Sequence, residues 1–199
     1  MLVKCEPQVQ TDLTVVSYRI DALDNIANVV RKTLATEPSI KNTTKCTSCK
    51  GRTYPTVVLE PNHKIIGKEG FRSLEKSLFF RSPSYHIRCK DPCLGKYTLF
   101  KEPGIYIFIE LDIRPNLQSN SLSCMLDRMP TTLGLQCDEN TIEYRLIGVI
   151  DYTSRHYIAY CLRSNGFWQM YDDLRKEINK CGSKTIITPH LVVYVQKSV

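Results

Sequence analysis

No stretch of this sequence approaches 18 consecutive apolar residues, which excludes a helical membrane span. The first twenty residues carry Lys4, Glu6 and Asp12 and lack an apolar core, so no secretory signal is expected. Nor do the lysines and arginines gather into one run. The formal charge of +7 is therefore read as a solvated surface, and nucleic acid is not expected as a partner. Membrane is not expected either.

Cysteine, in contrast, is plentiful. Nine cysteines, an odd number without an export signal, argue for reduced thiols and a metal site rather than a disulfide framework. A cytoplasmic or nuclear location follows. With 199 residues and 42% hydrophobic composition, the chain can bury a core as one domain or as a domain with an appendage.

Cys46-Thr-Ser-Cys49 follows a polar run and is answered forty residues later by Cys89-Lys-Asp-Pro-Cys93. Two short-spaced pairs at the tips of separate hairpins can present four thiolates in a tetrahedron, which suits structural Zn²⁺. Four sulfurs leave no open position for water, so the site is structural. The bland alternative is two unrelated pairs of free cysteines. His63 and His86 are possible replacement ligands but are expected to face solvent.

Tyr144 to Asp173 reads as three antiparallel strands, broken by polar turns at Asp151–Arg155 and Ser164–Gly166. Folding Tyr157–Arg163 back on Phe167–Asp173 sets His156 level with residues 172 to 175, depending on loop length. Opposite or diagonal neighbours on paired strands lie within about 5–8 Å. An imidazole is thus delivered beside Asp172 or Asp173. A carboxylate on one ring nitrogen fixes the tautomer and leaves the other as a general base. A lone His at a strand start and an Asp pair after a strand are, by themselves, ordinary surface features.

The order Y-x-L-x-G-V-I, then H-Y-I-A-Y, then G-x-W-x-x-Y-D-D resembles the histidine box of the ubiquitin-specific proteases, papain-like cysteine deubiquitinases. The resemblance implies His156 as general base and Asp172 as its orienting acid, with Asp173 secondary. It places Arg155 and Tyr157 beside the substrate's tail. Where the family usually has Gly before the histidine, this chain has Arg155; Gly tolerates positive φ and lets that tail pass close to the backbone. The cysteine pairs bracketing strands, followed by Thr98-Leu99, are similar to the family's zinc-binding fingers. Met129–Leu135 and His190–Val195 are similar to its later palm strands.

The family's cysteine box, of the form G-L-x-N-x-G-N-T-C-Y, has no counterpart here. Cys5 has only four residues upstream and no Asn or Gly around it. Cys161 lies in the histidine strand on the face opposite His156, and Cys124, Cys137 and Cys181 are read as loop residues. No nucleophile can be named.

The expectation is an α+β fold, a mostly antiparallel palm with a zinc-ribbon finger insertion and an incomplete thumb. It divides into a helical remnant (1–40), zinc-binding fingers (41–100) and a palm with the histidine box (101–199). Residues 20–34 are expected to form an amphipathic helix, from Ile20, Leu23, Ile26, Ala27, Val30 and Leu34. Val9, Leu13, Val15 and Val16 are read as a strand or a tether, and Pro103–Asp112 as one buried strand.

Three readings of function follow. The chain is a piece of a deubiquitinase, inactive by itself for want of the cysteine box, which when complete hydrolyses ubiquitin isopeptide bonds. Alternatively it is a pseudoenzyme that binds ubiquitin or a ubiquitin-like modifier, or a zinc-ribbon nucleic-acid-binding protein.

Overall fold

The computed structural model describes residues 5–9, 16–20, 24–90, 92–116 and 118–197; of residues 5–9 and 16–20 only the backbone pairing is described. Lys4, Asp12, Leu13, Val15 and Leu23, invoked above, lie outside them. β1 (Cys5–Val9) and β2 (Val16–Ile20) pair antiparallel as a hairpin, so Ile20 ends a strand rather than opening a helix. The helix α1 (Ile26–Thr33) begins later than the apolar spacing suggests. Asn25 caps it, accepting from the Ala27 N–H, and Arg31 and Lys32 stand in its last turn, where the helix dipole favours cations.

β3 (Ile40–Cys46) and β4 (Arg52–Thr56) form a hairpin. β5 (Val58–Leu59), α2 (His63–Glu69), α3 (Leu74–Leu78) and β6 (Arg81–Ser82) follow, before β7 (Ser84–Arg88) and β8 (Lys96–Pro103). β3, β4, β7 and β8 make a four-stranded sheet in the order β4-β3-β8-β7. Segment 58–82 leaves that sheet. β5 pairs parallel with β9 (Tyr106–Glu110), while Ile66, Phe71 and Leu74 enter the main core.

The apolar stretch Pro103–Asp112 is thus divided. Pro103 ends β8, and the buried strand is β9, with Ile107, Phe108 and Ile109 inside. The loop expected at 114–128 contains a short β10 (Cys124–Met125), followed by β11 (Thr132–Cys137), β12 (Asn140–Thr153), β13 (His156–Leu162), β14 (Trp168–Tyr171), β15 (Asn179–Cys181), β16 (Ile186–Ile187) and β17 (Pro189–Gln196). Cys124, Cys137 and Cys181 therefore lie in strands, not loops. Asp151 also sits within β12, only 3% exposed and accepting from the Thr188 N–H, rather than opening a turn.

The large sheet runs β15-β14-β13-β12-β17-β9-β5, with β11 also on β12 and β6 on β11. Its two faces bury separate clusters. One holds Leu133, Leu135, Tyr144, Val149, Tyr160 and Trp168; the other packs Ala27 and Val30 of α1 against Val58, Phe108 and Leu191. β12, 14 residues long, joins β11, β13 and β17 and is the spine on which the site is hung.

Candidate active site and metal centre

β12 and β13 are joined by two residues, Ser154 and Arg155, both at positive φ (49° and 65°), with Thr153 and His156 as the closing pair. That is the backbone of a type I′ hairpin, which usually takes Asn-Gly. Arg155 thus adopts the conformation for which glycine is preferred, at a cost of about 1–2 kcal/mol.

The next turn fixes the register. Arg163 N–H donates to Phe167 O (2.9 Å) across a three-residue loop with Gly166 at φ 81°, and Leu162 pairs with Trp168. Continued, this pairing sets His156 opposite position 174. β14 stops at Tyr171, however, and the chain turns at Asp172, whose side chain accepts from the Leu174 N–H (3.1 Å). Asp172 folds back against the ring. Its Oδ1 lies 2.8 Å from His156 Nε2, and its Oδ2 3.2 Å from Arg175 Nε. Asp173 Oδ1 is more distant from the same nitrogen, at 3.3 Å, and is 84% exposed.

Asp172 is held below the usual carboxylate range, first by its hydrogen bond with His156 and also by the Leu174 N–H and Arg175, against opposition from burial. An ionised carboxylate can only accept. Nε2 must then carry the proton, and in the neutral ring Nδ1 is the basic nitrogen. The side chains are 24% (His156) and 8% (Asp172) exposed, so the pair lies at a rim.

The backbone N–H of Ile26 donates to the Tyr157 hydroxyl (3.2 Å), which ties the start of α1 to the histidine strand. Beside Asp172, Ile26, Tyr157, Ala159 and Tyr171 line a groove of ≈ 410 Å³. Arg155 is exposed. Sequence reasoning passed over His190, which is 5% exposed, with its ring 4.8 Å from that of Tyr152. Its Nδ1 has no hydrogen-bond partner among the described residues.

Burial pushes the thiols of Cys124, Cys137, Cys161 and Cys181 upward, Cys124 to about 12. A catalytic thiol needs the opposite shift. Among the described residues the polar partners of His156 are the two acids, with no sulfur.

The four cysteines of the two short-spaced pairs converge. Cys46 ends β3, Cys49 follows in the β3–β4 turn, and Cys89 and Cys93 occupy the β7–β8 connection. Their sulfurs all lie within 4.8 Å of one another, with Cys46–Cys93 at 3.7 Å and Cys49–Cys89 at 3.9 Å. A tetrahedron with 2.3 Å zinc–sulfur bonds has edges of about 3.8 Å, so the donor set fits zinc. The Ser48 amide draws the Cys46 thiol down to about 6, whereas burial and the neighbouring sulfurs push Cys89 up to about 12. Four thiols so close cannot all ionise without a cation among them. A Cβ on Gly95 would lie 2.9 Å from Cys46 Sγ and 2.7 Å from Ser48 Oγ, so only glycine leaves the cluster its room. His63 and His86 are exposed and stand outside this group.

Two structures of the SAGA Ubp8/Sgf11/Sus1/Sgf73 DUB module align with this architecture. One gives a TM-score of 0.51 at 19% identity over 89% of this chain and 43% of that chain. The other, with a Ubp8 variant and a shortened Sgf11, gives 0.52 at 18% identity over 87% of this chain and 47% of that chain. The chain has a ubiquitin-specific-protease-like fold. No family model matches it. A curated Drosophila melanogaster protein, described as a 120.7 kDa protein in the NOF-FB transposable element, is 24% identical over 199 residues, covering 87% of this chain and 18% of that protein. The chain therefore spans less than half of the matched chains in those structures and under a fifth of the curated relative. Within this protease-like fold, the sheet order sets the His156–Asp172 pair on the large sheet and the cysteine cluster at the far tip of the small one.

Proposed function

We propose that this chain is the finger and palm portion of a deubiquitinase-like protein, binding ubiquitin or a ubiquitin-like modifier. The observation that supports the reading is the 2.8 Å contact between His156 Nε2 and Asp172 on a protease-like sheet. In this account Asp172 holds the ring by its Nε2–H. Nδ1 takes the proton of a cysteine thiol supplied from outside the described residues, and the thiolate attacks the carbonyl of ubiquitin's last glycine. The imidazolium returns the proton to the departing lysine amine, and water then hydrolyses the thioester. Tyr157 lines the approach for the modifier's tail, with Arg155 at its edge, and Asp173 is a secondary acid.

Cys46, Cys49, Cys89 and Cys93 would hold a structural Zn²⁺. The ion would cross-link the tips of the two hairpins, a region whose apolar core is too small to do so. The fingers then comprise the sheet within 41–100, the palm 101–199, and α1 belongs to the thumb side.

The upward-shifted thiols favour a second form of the same reading, binding without hydrolysis. The test is a fluorogenic ubiquitin substrate combined with calorimetric ubiquitin binding. The expected result is binding without turnover. Turnover abolished by His156→Ala would establish a nucleophile in this chain, and loss of both turnover and binding would sink the reading.

A further inference from the structure

Basic residues that look dispersed along the chain are segregated in space. The two segments that build the small sheet, 40–56 and 84–103, hold eight Lys and Arg against two acids, Asp91 and Glu102. That surplus of six is nearly the whole formal charge of +7, so the remaining residues together carry only +1. A bound zinc tetrathiolate would lower it by about two and leave the sheet strongly positive.

Four of the cations, Lys41, Lys45, Arg88 and Lys96, share a face, with Lys41 opposite Glu102, whereas Arg52 and Lys101 lie on the other face. Lys41, Thr43 and Lys45 alternate outward on β3, where Ile40, Asn42 and Thr44 are buried. Register sets Lys45 opposite Thr98 and Arg88 opposite Lys96, so Arg88 and Lys96 are directly opposed and Lys45 is a diagonal neighbour of Lys96 on the same face. All three are exposed, and none has an ion-pair partner among the described residues. Like charges directly opposite on paired strands are destabilising. Thr43, Thr53 and Thr98 add hydroxyls to the same face, and Phe100 lies there with Lys45 Nζ 4.9 Å from its ring centre.

We infer that this outer face of the small sheet binds the phosphate backbone of a single-stranded nucleic acid. A protein partner fits less well, because lysine is depleted from the cores of protein interfaces. Duplex DNA fits less well too. Four strands at about 4.8 Å spacing span about 14 Å, wider than the roughly 12 Å major groove. A single strand can cross the sheet and stack a base on an aromatic ring once the covering lysine turns to a phosphate.

The test is fluorescence anisotropy of the full zinc-loaded chain with labelled oligouridine and oligothymidine, across a salt series. Binding is expected with a log–log salt slope of about −2 to −3, for three to four phosphate contacts. The triple variant Lys45→Glu, Arg88→Glu, Lys96→Glu should weaken it by at least about tenfold, and reversal of Lys64, Lys68 and Lys184, exposed elsewhere, by less than about twofold. If the reversals disturb zinc content or circular dichroism, the Gln versions should show the same order. Equal weakening by both triple variants, no saturable binding at low salt, or displacement by poly-glutamate as effective as by unlabelled oligonucleotide would each overturn the inference. The last would assign the face to an acidic protein. Ubiquitin binding by the same variants reads the preceding proposal separately.

Discussion

At the scale of single residues, Asp172 and Arg155 do opposite things. Asp172 gathers the imidazole, the Leu174 N–H and Arg175 on one carboxylate. Because its folded pKa is depressed, the stability it contributes is present above the ordinary carboxylate range and is lost as pH falls through the folded value. Acid unfolding monitored by tryptophan fluorescence should therefore show a shallower acid limb in Asp172→Asn. Arg155, in contrast, stores strain at φ 65°. Gly would release about 1–2 kcal/mol of it and lose about 0.5–1 to the greater freedom of the unfolded chain. Arg155→Gly should thus raise the stability by about 1 kcal/mol in urea denaturation. A residue before the histidine that resists positive φ was visible in the sequence; that the turn nonetheless adopts positive φ was not, because β12 extends to Thr153 and closes the hairpin at two residues.

At the scale of elements, the proposed zinc in the cysteine cluster would hold what packing does not. The small sheet carries few fully buried apolar side chains beyond Ile40 at its base, while the large sheet buries most of the core. If the cluster binds zinc as proposed, loss of the metal should unfold the hairpin tips and spare the large sheet. Cys46→Ser is expected to abolish about one bound zinc per chain, and hydrogen exchange should quicken in β3, β4, β7 and β8 but not in β12 or β17. Gly95→Ala should weaken zinc retention in chelator competition, because its methyl group would push on Cys46. The cysteine spacing and the β12–β14 hairpins were legible because both are local patterns. α2 was not read: Ile65 and Ile66 offer only one short apolar pair between polar residues, and tertiary burial of Ile66 settles its conformation. In sequence the buried Asp151 reads as a turn residue, since a carboxylate within a strand is exceptional and its partner, the Thr188 N–H, lies 37 positions away.

At the scale of the whole molecule, a protease-like sheet carries an acid-bound imidazole at one rim and a thiol cluster at the tip of a positively charged sheet. Linear spacing disclosed the two sites but concealed the charge segregation, which appears only when β3, β7 and β8 are placed side by side. Among the described residues no helix is long and apolar enough to cross a membrane. The imidazole–carboxylate pairing is the claim on which the functional account rests. It is tested most directly by nitrogen-15 NMR of the His156 ring in the protein and in Asp172→Asn. The account predicts that the neutral ring carries its proton on Nε2 and that the substitution shifts this resonance and the tautomer balance. A ring protonated on Nδ1, or one indifferent to Asp172, would contradict it.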